Sequence, residues 1–485
     1  MYSCPNCSAN LKFNISRQAL FCEACETVLD PYSVVKESDA EESRYYEVTS
    51  FLCPQCGGEI ITEDNEAAAF CSFCGGSTIL DSRISKAKRP FYIIPFQKTK
   101  EDCVASYKKM VQRAIFAKKG IRDSQNIDSF RGIYMPYISY KFEKSGSVYL
   151  SGTRSYQRGN YKYTEHHSLS ADVNEYYDKI AYDASSTFAD NLSQAIAPFD
   201  QRSQMPFTPS FLSGFYADTS DVPEDLYISE GQEIVADDAL RQFKKLPPVS
   251  RYVVDNKKAK EQLRPQCTNG KLVMFPVWFM SLRTKEKGEE RVSYAVMNGQ
   301  TGKIAADIPI SLSKYIYISA GAGLLLFVLL QFLFDLTLSP LFTSVAATIA
   351  CVVMSIIYSS REKKIQARMD GSDDKGLMGV RKRNEQLEAA QNPQNMQVQN
   401  TASSKSVSRK VKYKAKPTFV WIPIVITVLL IIIKPISDLP YYLSAMFSMG
   451  FMIKLIIQIV GRFNELTTRK LPQFNRTGGD DSAKN

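Results

Sequence analysis

"CPQCGGEIITEDNEAAAFCSFCGG", residues 53–76, holds two Cys-x-x-Cys pairs, each followed by glycines, with fourteen residues between the inner cysteines. Each pair turns two thiolates to one side of a tight loop, and two such turns make a closed tetrahedral site for a soft divalent metal. Cys53, Cys56, Cys71 and Cys74 therefore read as the ligands of a zinc ribbon. Gly57 and Gly75 follow the knuckles, where the backbone must adopt positive φ to turn around the metal.

A shift of 49 residues toward the N-terminus superimposes Cys4, Cys7, Cys22 and Cys25 on this set without a gap. The chain thus begins with a duplicated module. Between the pairs, "SANLKFNISRQALF" and "GGEIITEDNEAAAF" each offer two short extended runs around a polar turn, as a β-hairpin bridging two knuckles would. The first copy has Ser8 and Glu26 at the glycine positions, so the second site is expected to bind its metal more tightly. Two structural Zn²⁺ ions are the expected cofactors; iron in a rubredoxin-like site and unligated reduced thiols are the alternatives. Eight of the 11 cysteines lie in these four pairs. That clustering in a long chain excludes a disulfide scaffold.

Many zinc ribbons bind nucleic acid, and charge tests that reading. Residues 1–85 contain five Lys and Arg against thirteen Asp and Glu, including Glu59, Glu63, Asp64 and Glu66 between the second pair of knuckles. Such a surface repels phosphates, so nucleic-acid binding is disfavoured and a protein-docking head is favoured. Residues 1–313 carry 38 Lys and Arg against 39 Asp and Glu, so the formal net charge of +10 arises after them.

The sequence divides into a first ribbon (1–30), an acidic linker (31–48), a second ribbon (49–85) and an α+β domain (86–313). Within the domain, Val104, Tyr107, Val111, Ile115 and Phe116 recur at helical spacing, as do Leu226, Ile234, Leu240 and Phe243. "GIYMPYISYKF" and "LVMFPVWFMSL" read as strands that pair as halves of one sheet. "MNGQTGKI" (297–304) reads as a tight turn.

Beyond Lys314 the chain becomes apolar. Tyr315–Phe334, Leu338–Tyr358, Phe419–Ile436 and Tyr441–Val460 are each about long enough to cross a hydrocarbon core of ~30 Å. They read as two hairpins, 314–358 and 418–460, joined by a basic, partly disordered loop (359–417) and followed by a tail (461–485). Residues 359–417 contain 14 Lys and Arg against 6 Asp and Glu. The positive-inside bias then places the loop and both termini in the cytosol, with the protein in the cell membrane. The N-terminus shows no signal-peptide pattern. Arg361, Lys363, Lys364, Arg381, Lys382, Arg383, Arg409, Lys410, Lys412, Lys414 and Lys416 would face anionic lipid, or serve only to set topology. Ser319 with Gly323, and Ser444 with Ser448, are spaced for close helix approach, and Lys454 sits near enough to a helix end to snorkel.

Catalytic constellations are scarce. His166 and His167 are adjacent and would point to opposite faces of a strand. No phosphate-binding loop spacing occurs, and Cys103, Cys267 and Cys351 stand alone. The chain reads as a non-enzyme. The fold class is multidomain: two small β zinc ribbons, an α+β cytosolic domain and a four-helix transmembrane region.

The two ribbons, then "FLSGFYAD" (211–218), "FPVWFMSL" and "YAVMNGQTGKI", resemble membrane-anchored double zinc-ribbon proteins of Gram-positive bacteria, some labelled TFIIB-type zinc ribbon or primosomal-helicase-like. The resemblance spans about residues 1–310. It implies an adaptor that works with a membrane-remodelling protein of the phage-shock-protein-A type in envelope stress. The runner-up reading is a membrane-tethered nucleic-acid-binding or transcription-related protein.

Overall fold

The computed structural model describes residues 2–34, 45–62, 71–75, 81–123, 129–247, 249–286, 288–333, 339–369, 372–391 and 419–470. The first ribbon is a three-stranded sheet of β1 (Leu11–Asn14), β2 (Ala19–Cys22) and β3 (Val28–Leu29). The second ribbon contributes β4 (Tyr45–Leu52) and β5 (Glu59–Ile61), followed by β6 (Asp81–Lys88) and β7 (Tyr92–Ile93). Then come α1 (Lys100–Arg113), the long hairpin β8 (Arg131–Arg158) and β9 (Tyr161–Asp183), and α2 (Asp190–Ile196). Next are β10 (Met205–Pro206), β11 (Tyr216–Ala217), α3 (Ile228–Phe243), β12 (Val253–Val254) and α4 (Asn256–Gln262). The domain ends with β13 (Gln266–Glu286), β14 (Glu289–Asn298) and β15 (Ile304–Ala306). The C-terminal helices are α5 (Leu312–Leu333), α6 (Pro340–Met369), α7 (Lys375–Gln391), α8 (Trp421–Ile433) and α9 (Leu439–Thr467), and β16 (Arg469–Lys470) closes the described chain.

Strands β4 to β16 form one mixed sheet of 13 strands. At its centre β8 and β13 run antiparallel, with Pro136 opposite Met274 and Pro276 opposite Tyr134, as the two aromatic segments led us to expect. Proline lacks an N–H for a ladder, yet both prolines accept through their carbonyls, Pro136 from Ala184 N–H and Pro276 from Gly299 N–H. The turn at 297–304 is present: Gly302 has φ +79° and donates to the Asn298 carbonyl between β14 and β15.

Alternation along β13 explains where the ribbons sit. Val273, Phe275, Val277 and Phe279 face one apolar cluster, which contains all four cysteines of the second ribbon. Met274, Trp278, Met280 and Leu282 face the other, which contains Leu11, Phe13, Leu20, Cys4 and Cys22 of the first. Side chains two apart share a face, so the duplicated modules cover opposite sides of the same strands.

Local expectations held in part. Helix α1 is opened by a capping box between Thr99 and Asp102 and buries Cys103, Tyr107 and Val111. It ends at Arg113, so Ile115 and Phe116 lie past it and Ile115 is exposed. In α3 the buried stripe is Gly231, Val235, Ala236, Ala239, Leu240 and Phe243, while Ile234 points outward. Gly231 is needed there, because a Cβ would lie 2.4 Å from the Phe142 ring.

The four-span expectation is corrected. Among the described residues two helices are long and apolar enough to cross a membrane, Pro340–Arg368 and Leu439–Thr467. Trp421–Ile433 is apolar but 13 residues long, and Tyr315–Phe334 falls on α5, many of whose side chains lie outside the described set. Only 28% and 22% of the apolar windows of the two long helices are buried, whereas the core helix of a soluble protein is mostly covered. Hydroxyls join three of the helices: Ser344 bonds Ser444 at 3.1 Å, and Thr348 lies 2.7 Å from Thr427 and 3.4 Å from Ser448. The Ser444 and Ser448 pair thus packs as expected, while Ser319 and Gly323 are exposed, and among the described residues nothing lies within 4 Å of a Cβ at Gly323.

The basic segment 359–417 also differs from a plain loop. Helix α6 runs on to Met369, and α7 docks on the sheet domain with Val380 in a cluster that includes Phe142, Val222 and Tyr227. Asp190 accepts from Tyr227 Oη at 2.9 Å and from Lys375 N–H at 2.8 Å, holding the start of α7. Burial pushes Asp374, which caps α7 through Leu377 N–H, up to about 6.

Candidate metal centres

Each knuckle folds the same way. Ser8 N–H and Glu26 N–H return to the carbonyls of Cys4 and Cys22 at 2.8 Å, and Gly57 and Gly75 return to Cys53 and Cys71 at 2.8 and 3.0 Å. The four turn residues all have positive φ: 58° and 57° for Ser8 and Glu26, 68° and 66° for Gly57 and Gly75. The left-handed region costs a residue bearing a Cβ about 1 kcal/mol and costs glycine nothing.

In each module the four Sγ atoms lie within 4.8 Å of one another. Tetrahedral Zn–S bonds of ~2.3 Å require sulfur–sulfur separations of about 3.8 Å. The second set has Cys53–Cys74 at 3.9 Å and Cys56–Cys71 at 3.7 Å, on either side of that value. The first is tighter, with Cys4–Cys25 at 3.5 Å and Cys7–Cys22 at 3.3 Å. None of the eight is in a disulfide. Four soft donors with no fifth position suit a structural metal and leave no open site for substrate or water.

The surroundings differ. Cys53, Cys56, Cys71 and Cys74 are all buried, among Phe51, Phe73, Phe188, Phe279 and Val292. Arg283 of β13 donates to the Cys74 carbonyl at 2.7 Å, to Cys74 Sγ at 3.4 Å and to Gln55 Oε1 at 2.7 Å. Its cation lies where four thiolates around one divalent ion would leave net negative charge. Tyr294 Oη donates to the Phe73 carbonyl at 3.0 Å. Neighbouring sulfurs, Cys53 first, push Cys56 and Cys71 well above an ordinary thiol, because four sulfurs this close cannot all ionise without a cation. In the first ribbon Cys7 and Cys25 are exposed. The Thr27 hydroxyl and N–H beside Cys25 draw it down to about 6.

The string 211–218 fastens both modules. Phe211 packs on Phe13 and Tyr32 at ring distances of 5.3 and 5.7 Å, and the Ser213 carbonyl accepts Phe13 N–H at 3.0 Å. A few residues on, Ala217 of β11 pairs with Ile61 of the second ribbon and with Tyr134 of β8. Neither Arg283 nor this clasp was legible as functional in the sequence; a lone arginine in a strand carries no spacing signal.

The remaining sequence-derived residues scatter. Glu59 is buried, not displayed, and Glu63, Asp64 and Glu66 lie outside the described residues. Lys363, Lys364, Arg381 and Lys382 are exposed, Arg383 is half-buried, and Arg361 stacks over Phe463 at 5.7 Å. Arg409, Lys410, Lys412, Lys414 and Lys416 lie outside the described residues. His166 is exposed, whereas His167 packs on Tyr252 with ring centroids 4.8 Å apart.

The end of α9 is tied to the same strands. Arg291 of β14 donates to Thr468 Oγ1 at 2.7 Å and to the carbonyls of Thr468 and Glu465 at 2.8 and 3.1 Å. Strand β16 then adds to β14, with Val292 opposite Arg469. Asn464 exchanges two hydrogen bonds with the Ile310 backbone, at 2.7 and 2.8 Å. Arg462 bonds the buried Glu362 at 2.6 Å.

The class these features define is a multidomain protein with two N-terminal Cys4 modules that fit double zinc ribbons, a mixed-sheet domain and apolar C-terminal helices. The chain is similar to "Uncharacterized protein YdjG" of Bacillus subtilis (strain 168), 29% identical over 320 residues that cover 64% of this chain and 91% of that protein. No protein-family model matches the chain. No solved structure matches it either.

Proposed function

We propose that this protein is a membrane-anchored adaptor in which two structural Zn²⁺ ions hold a cytosolic docking head. The observation that carries this reading is that one sheet holds both Cys4 modules and the end of α9, with β14 bonded to β16. A partner bound at the ribbons would therefore be fixed relative to the membrane. Cys4, Cys7, Cys22 and Cys25 would hold one ion, and Cys53, Cys56, Cys71 and Cys74 the other; the metal supplies cross-linking, not reactivity.

Contacts across the helices support a multi-pass arrangement. Ile310, before α5, meets Asn464 near the end of α9, so an even number of crossings separates them. Glu362 near the end of α6 meets Arg462, and Lys375 docks on the sheet domain. These contacts bring the ends of α6 and α9 to the side of the helices where the sheet domain lies. The basic residues of 359–417 favour the cytosol for that side.

The resemblance seen in the sequence points to a membrane-remodelling protein of the phage-shock type as the partner. Affinity purification of the full chain from native membranes, with identification of what co-purifies, tests the reading. Recovery of a membrane-remodelling protein is the expected result, lost when Cys7 and Cys25 are both replaced by Ser. Recovery of nucleic acid or polymerase subunits instead would overturn it. Elemental analysis should give two zinc ions per chain, and stoichiometric iron would refute the metal assignment.

A further inference from the structure

The sheet face that carries the second ribbon continues beyond it into polar ground. On β8, Tyr137 lies in the apolar cluster, and the next two side chains on that face are Ser139 and Lys141. On β13, Val273 is followed in the other direction by Lys271 and Asn269, which stand opposite Ser139 and Lys141. Lys179 of β9 and Tyr92 of β7 complete the walls of a cavity of about 370 Å³. We propose that this cavity is a binding site for a small phosphate-bearing anion, held by Lys141, Lys179 and Lys271.

The backbone is deformed at this point from both sides. Tyr140 pairs with Ile180 and Phe142 with Tyr177, so β9 sets Asp178 and Lys179 against the single residue Lys141. At the same step β13 inserts Thr268 between Cys267 and Asn269. These are two β-bulges about one lysine, and bulges re-aim side chains at sheet positions where a regular ladder would not. Lys179 itself has φ +66°, a conformation in which glycine is free and a lysine is strained. Strain at a cavity wall that a glycine would relieve points to a use for the ammonium.

The ammoniums are oriented. Lys141 Nζ lies 4.6 Å from the Tyr176 ring centroid, and Lys271 Nζ lies 5.2 Å from that of Tyr92 and 3.3 Å from its hydroxyl. Lys179 Nζ donates to the Gln201 carbonyl at 3.0 Å, and Gln201 returns a bond to the Lys179 carbonyl at 2.6 Å. Lys141 pairs with Glu143 at 2.6 Å, and Asp178 also lines the cavity. Among the described residues no carboxylate pairs with Lys179 or Lys271. Three cations against two carboxylates leave the site with a net charge of +1. Lysine serves phosphate as a point charge, and the amides of Asn269 and Gln204 in the same wall add neutral donors. The volume lies at the low end of the roughly 300–1,000 Å³ range of ligand pockets, which favours a phosphomonoester over a nucleotide.

A phosphomonoester can be a soluble metabolite or a lipid headgroup, and the experiment separates them. The full chain in neutral detergent would be titrated calorimetrically with glycerol 1-phosphate. In parallel, the chain would be reconstituted into bilayer discs of phosphatidylcholine with or without phosphatidic acid, and the glycerol 1-phosphate titration repeated. Saturable binding in detergent that phosphatidic acid leaves unchanged assigns the soluble ester, and competition by phosphatidic acid assigns the headgroup. In either case the double variant K179Q/K271Q should weaken binding at least about tenfold. Lys179→Gly removes one ammonium and the backbone strain together, so binding should weaken while the thermal midpoint holds or rises. Absence of saturable binding to glycerol 1-phosphate in every preparation would overturn the proposal. So would equal affinity in the parent and both variants.

Discussion

The two ribbons share spacing, knuckle geometry and hydrogen bonds, yet they are built into the molecule differently. The second is embedded: four buried sulfurs, an arginine against one of them, and a hairpin continuous with the main sheet. The first is attached, a separate three-stranded sheet with two exposed cysteines, resting on Phe211. Duplication thus supplied two copies of one motif, and context gave one to the core and the other to the surface. A metal in the second would stabilise the whole sheet, and one in the first mainly its own module.

The largest effect that can break this contrast is ligand removal. Cys71→Ser should forfeit most of the metal-linked folding energy, on the order of 10 kcal/mol for a structural zinc, and leave no cooperatively folded sheet domain. Cys25→Ser should remove one zinc by elemental analysis yet preserve the near-ultraviolet circular dichroism of the sheet. Equal damage from both would erase the distinction.

Chelation separates the two by rate. Added to the intact protein, a chromogenic chelator should extract one zinc from the first site at least about tenfold faster than the other, since thiolate exchange requires access. A single phase releasing two ions would contradict the embedded and attached assignments.

Smaller effects sharpen the comparison. Arg283→Ala should cost about 2–3 kcal/mol in denaturant unfolding, through lost charge-assisted bonds to Cys74 and Gln55. It should leave the first site's chelation rate unchanged. Smallest of all, Ser8→Gly with Glu26→Gly should slow zinc release from the first ribbon, gaining about 1 kcal/mol at each relieved φ.

Sequence reading reached some of this and missed the rest for identifiable reasons. The cysteine spacing is a local signal, and the eight cysteines converge in two groups of four. The pairing of 131–143 with 266–279 was readable because both segments are apolar, aromatic and carry a proline at matching places. The fusion of the second ribbon with the main sheet was not, since Ala217 pairs with Ile61 across more than 150 positions. Apolar runs marked the C-terminal helices but not their lengths, and Trp421–Ile433 stops where Lys434 turns left-handed at φ 47°. The lysine cavity had no sequence signature at all, because two bulges bring its walls together and bulges are invisible to a period-two pattern.

Strand β16 carries a consequence in time. It follows α9, so the β14 position it occupies stays vacant until residues 469–470 have been synthesised. The bonds of Arg291 to Thr468 form only once the end of α9 reaches the sheet. A chain whose α9 ends away from the sheet leaves a hydrogen-bonding edge of β14 open. Completion of the sheet is in this sense a record of where α9 came to rest, and an unsealed β14 is the mark by which a misplaced copy differs from a finished one.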